Sequence, residues 1–170
     1  MKLNEQVDTI NAAAQSCEPI LSSLIDDCCR DLDRYVDQIR DHFSDISKVD
    51  NLTLDNFILN IPILIYYVNA KVERLGLKSD LSSIERKRQL TEKMAEMDHL
   101  KNKSEKQILS ELQTVDSVIL DEICDRAYKI VKSKVDTAYE ILASCKKIMS
   151  RRIEELKTEH SDTNRQTLHS

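Results

Sequence analysis

Gly76 is the only glycine in a chain of 170 residues, and Pro19 and Pro62 are its only prolines. Tight sheet turns draw on glycine for positive φ and on proline for a fixed φ, so a chain almost without either is left with long helices as its main element. Leu, Ile, Lys, Glu and Asp are abundant, and Leu, Lys and Glu among them are good helix formers. Two Phe and no Trp offer little filling for a globular core, so Leu and Ile seams between helices must supply the burial. The expected fold is all-α: an elongated bundle of long helices with a coiled-coil-like C-terminal helix.

Apolar spacing divides the chain further. Val7, Ile10, Ala13 and Ala14 recur at helical intervals up to Pro19, a residue suited to open a second helix. From there Leu21, Leu24, Ile25, Cys28, Leu32, Tyr35, Val36, Ile39 and Phe43 form one stripe, so acidic helices are expected over 4–47. Thr53 is a candidate cap for a central helix over 53–75, with Pro62 as a kink or restart and Gly76 as its stop. Ser82 and Glu85 have capping-box spacing for a helix over 82–98, and Ser104 with Gln107 for a long one over 104–158. In the latter, Ile108, Leu112, Val115, Ile119, Ile123, Ala127, Val135, Ala138 and Cys145 keep a three-four rhythm that suits packing against the earlier helices or against copies of the chain. Residues 1–158 are thus expected to form a single helical domain, and 159–170, polar and aperiodic, a flexible tail.

Charge is uneven. Residues 1–84 carry eight Lys/Arg and fourteen Asp/Glu, and 85–170 carry seventeen and sixteen, within a net charge of −5. Asp26, Asp27, Asp31, Asp33, Asp37, Asp41 and Asp45 oppose only Arg30, Arg34 and Arg40. That face repels nucleic acid; it is either a solvated surface or, through Asp26, Asp27, Asp33, Asp37 and Asp41, a docking face for a basic protein groove. Between Arg126 and Arg152, by contrast, eight bases meet only Asp136 and Glu140. Lys129, Lys132, Lys146, Lys147, Arg151 and Arg152 could follow a phosphate backbone, or the stripe could pair with the acidic helix. Tyr66 and Tyr67, near Lys71 and Arg74, have the composition of a base-stacking platform, although core filling is the more ordinary role of tyrosines in an apolar helix.

Catalysis finds no foothold. No glycine-rich phosphate loop, GxSxG or HExxH is present, and His42, His99, His160 and His169 are scattered. The adjacent pair Cys28 and Cys29 lacks zinc-ligand spacing, and an odd count of five cysteines in helical sequence reads as reduced thiols. No metal, cofactor or enzymatic activity is expected. The apolar run from Ile61 to Val68 is too short for a membrane span, and the first residues lack signal-peptide character, so a cytoplasmic location is expected.

The succession Ile63-Leu64-Ile65-Tyr66-Tyr67, Lys71-Val72-Glu73-Arg74-Leu75-Gly76, Glu85-Arg86-Lys87, Arg126-Ala127-Tyr128-Lys129 and Lys146-Lys147-Ile148-Met149-Ser150-Arg151-Arg152 resembles the UvsY-type recombination mediators, small helical proteins of phage recombination modules. The likeness is one of layout over residues 55–155, and the Asp-rich N-terminal residues lie outside it. It implies a cytoplasmic helical oligomer, in the host cytoplasm if phage-encoded, that binds single-stranded DNA. Such a protein helps a recombinase displace or share the strand with a single-strand-binding protein. It further implies strand contact at Lys71, Arg74, Lys78, Arg86, Lys87 and Arg88. Two other readings stand beside this one: a scaffolding homo-oligomer that binds proteins only, and an acidic inhibitor that occupies a basic groove.

Overall fold

The computed structural model describes residues 3–45, 48–97 and 102–167, and the protein is an all-α helical bundle. Among the described residues there are four helices and no strand: α1 Leu3–Phe43, α2 Asn51–Glu96, α3 Lys103–Gln113 and α4 Val115–Thr167. Side chains packed within the chain divide into two compact units through which α1, α2 and α4 all run.

The first unit comprises residues up to Arg30 together with Asn69–Ser133. Its buried apolar side chains are Cys28 and Cys29 on α1, Val72 and Leu75 on α2, Met97 beyond it, and Ile123, Cys124, Ala127 and Val131 on α4. The second unit comprises Asp31–Val68 together with residues from Lys134 on. It buries Leu32 and Ile39 of α1, Leu54, Phe57, Ile61, Ile65 and Val68 of α2, and Val135, Ala138, Leu142 and Cys145 of α4. Phe57 centres an aromatic group, with the rings of His42, Tyr35 and Phe43 at 5.5, 6.0 and 6.0 Å. Tyr35 also donates its hydroxyl to the Asn56 carbonyl at 3.1 Å.

Several expected boundaries differ, each for a local reason. α1 passes through Pro19 without stopping, and α2 through Pro62. Both prolines are exposed, and each costs its helix one backbone hydrogen bond, to the carbonyl one turn earlier, without ending it. The helices expected over 53–75 and 82–98 are one helix. Gly76 is not a left-handed stop, since no glycine has positive φ. Its bare Cα instead makes room for Tyr128: a Cβ there would stand 3.2 Å from Cε2 of that ring. Ser82 likewise lies mid-helix, its hydroxyl donating to the Ser79 carbonyl and to Asp121.

The caps also move. Asp50, not Thr53, caps α2, accepting the Thr53 amide at 2.6 Å, and hydrogen bonds from the Thr53 side chain and from that amide hold its carboxyl below the usual range. α3 is capped by Asn102, which accepts from the Ser104 amide at 3.0 Å. The helix expected over 104–158 is broken at Thr114, whose hydroxyl donates back to the Ser110 carbonyl at 3.0 Å while its own carbonyl receives the amides of Ser117 and Val118. Ile108, Leu112, Val115 and Ile119, expected in the buried seam, are exposed, and the first buried apolar side chain of that stretch is Ile123. α4 continues past 158 to Thr167, and His99 and His169 lie outside the described residues.

Candidate nucleic-acid interface

Most of the first unit's candidate cations lie on α2. Lys71, Arg74 and Lys78 follow at i, i+3 and i+7, so they share a face, and with Leu24, Asp27, Cys28 and Leu75 they line a cleft of about 220 Å³. Lys71 donates through Nζ to the carbonyls of Asp27 (2.8 Å) and Cys28 (3.5 Å), which fixes it against α1. Arg74 and Lys78 are exposed and make no hydrogen bond or ion pair with another described residue. One carboxylate, Asp27, faces three cations. Burial pushes the Cys28 thiol up, with Lys71 opposing the shift, so it stays a neutral thiol in the cleft wall.

The neighbouring basic triplet divides. Arg86 donates from Nη1 to Oδ2 of the buried Asp121 at 3.1 Å, while Oδ1 of that carboxylate accepts from Ser82 at the same distance. Arg88 is clasped by Glu85 at 2.6 Å and by Glu92. Hydrogen bonds from Arg88 and Gln89 hold the Glu85 carboxyl down at about 2, and the Arg88 guanidinium is pushed up in return. Lys87 is exposed and has no ion pair to a described residue. On α4 of this unit, Lys129 is bound to Asp125 at 2.6 Å, while Lys132 is exposed and unpaired among the described residues.

In the second unit, Lys146 and Lys147 are exposed without a described partner, and Arg151 lies 3.4 Å from Glu155. Arg152 donates from Nη1 to the Val49 carbonyl (2.7 Å) and Asn51 Oδ1 (3.0 Å), joining α4 to the start of α2. Neutralisation of the basic stripe by the acidic helix occurs at Lys134, which meets Asp33 at 2.7 Å. Asp37 and Asp41 are both within reach of Arg40, and Asp26 is exposed in the first unit.

The tyrosines do not fill the core. Tyr66 and Tyr67 are exposed in the second unit, edge to face at 5.6 Å. Sequence reasoning also missed Asp121 as the residue that engages Arg86; it stands beside Glu122 amid Ile119, Leu120, Ile123 and Cys124, and spacing alone does not say which of the two carboxylates faces the core. Among the described residues, no group of three or more His, Cys, Asp or Glu side chains could hold a metal ion. None of their helices is long and apolar enough to cross a membrane. All five cysteines are free thiols, and burial raises Cys145 as it does Cys28.

Comparison with known proteins finds no match: no family model, no curated protein and no solved structure is similar enough to this chain to assign it a family.

Proposed function

We propose that this protein is a non-enzymatic accessory factor of DNA recombination, cytoplasmic and homo-oligomeric, that binds single-stranded DNA by its phosphates and helps load or organise a recombinase against a single-strand-binding protein. The observation that carries the reading is the cleft of Lys71, Arg74 and Lys78, where Arg74 and Lys78 keep their charges free of any described carboxylate partner. Unneutralised cations on one helix face are what a phosphate backbone requires, and repetition in an oligomer would multiply weak contacts. Arg86, Arg88, Lys129 and Arg151 contribute less, because carboxylates already hold them. The test is the fluorescence anisotropy of a labelled oligo-dT at roughly 50 and 200 mM salt, across which phosphate contacts weaken steeply. Affinity that falls sharply with salt supports the reading; a folded protein that binds at neither salt overturns it.

A second reading, a protein-binding scaffold, is favoured by the apolar side chains that α2 leaves exposed opposite its buried ones. It predicts self-association without DNA binding.

A further inference from the structure

Within the second unit, α2 is apolar on two faces. Leu54, Phe57, Ile61, Ile65 and Val68 are buried. Leu52, Leu59, Ile63, Tyr66 and Tyr67 are each between 54% and 73% exposed. Leu52, Asn56, Leu59, Ile63 and Tyr66 succeed one another at steps of four, three, four and three. That 3.5-residue mean is the period at which a helix keeps one seam against another helix, and its exposure leaves this seam without a partner among the described residues.

Charge and area identify the occupant. Asp55 is the only charged residue from Asn51 to Ala70, and the amides of Asn60 and Asn69 flank the seam. Within this seam a polyanion would find no cation, the nearest on α2, Lys71, being held by the carbonyls of Asp27 and Cys28, and stacking platforms rely on free cations. A charged protein partner would likewise lose hydration without gaining an ion pair. An uncharged apolar seam is complementary to itself, as a two-fold interface requires. At roughly 100–200 Å² for each exposed side chain, the five offer on the order of 650 Å², close to one partner's share of a standard interface and more than isolated surface apolar residues present. Asn56, a single amide within the seam, is the kind of residue that fixes register between paired helices.

We infer that the Leu52–Tyr67 face of α2 is the surface on which a second copy of this chain docks. This rests on the homo-oligomer part of the proposed function and names its interface, while DNA binding is independent of it.

Sedimentation velocity of the full chain from low to high micromolar concentration, beside the Ile63→Glu and Ile63→Leu variants, tests the assignment. The expected result is a self-associating parent, an unchanged Ile63→Leu protein, and an Ile63→Glu protein that is monomeric or weakened roughly tenfold or more, with far-UV circular dichroism unaltered because Ile63 is exposed. If Ile63→Glu loses helicity, the double variant Leu59→Gln/Tyr66→Gln takes its place with the same expectation. A parent that associates equally with or without these substitutions overturns this surface and leaves the homo-oligomer standing. A parent that stays monomeric throughout overturns both.

Discussion

Asp121 shows how one carboxylate redirects a basic cluster. It is almost wholly buried and accepts from both Ser82 and Arg86, so Arg86 is held to the first unit and not offered to a ligand. Asp121→Ala would take from the Arg86 guanidinium and the Ser82 hydroxyl their shared acceptor; the expected loss is about 2 kcal/mol in urea denaturation, and no change would mean that water replaces the carboxylate. Glu85 makes a complementary case that can be read by titration. Its carboxyl is held at about 2, below the 4.5 of a free glutamate, by hydrogen bonds from Arg88 and Gln89. A depressed carboxyl stabilises the fold above its unfolded value, and that contribution fades as pH falls from about 4.5 toward about 2. In Arg88→Ala the side-chain carboxyl carbon of Glu85 is expected to titrate nearer 4.5, as followed by NMR; an unmoved midpoint would assign the shift to another group.

At the scale of elements, the all-α class was legible because the scarcity of glycine and proline is a property of the whole chain, whereas helix ends depend on what a single residue touches. Gly76 has the sequence signature of a stop, yet it continues α2 because the ring of Tyr128, fifty-two positions away, occupies the space a side chain would need. Gly76→Val is therefore expected to destabilise by about 1–3 kcal/mol, although valine is the better helix former, with thermal unfolding as the measure. A neutral result would show that Tyr128 can swing aside. Thr114 is the converse: nothing in its neighbours' spacing marks a break, and its back-bond to Ser110 becomes visible only once both residues are buried. The acidic-to-basic pairing weighed from composition is realised at Lys134 and Asp33, while Lys129 and Arg151 find carboxylates one turn away on α4. Spacing of four along a helix made those local pairs readable, and the cross-helix pair required the packing.

Over the whole molecule, the net charge of −5 argues against nucleic acid only if the charges are counted without regard to partners. Sequence located the cations and could not say which were already satisfied; packing leaves Arg74, Lys78, Lys87, Lys132, Lys146 and Lys147 without described partners and engages Lys71, Arg86, Arg88, Lys129, Arg151 and Arg152. This division makes a quantitative statement about binding. Each phosphate contact on a single strand contributes about 0.7 to the slope of log affinity against log salt, so Arg74→Gln/Lys78→Gln is expected to lower the magnitude of that slope by about 1.4 for each copy engaged. Neutralising a cation that a carboxylate already holds releases fewer counterions, so Arg88→Gln should change the slope much less. Oligo-dT titrations at four or more salt concentrations measure both variants against the parent. Equal effects from the free pair and from Arg88 would mean that long-range charge, and not contact at the cleft, governs the interaction, because screened attraction depends on net charge and not on which cation is paired.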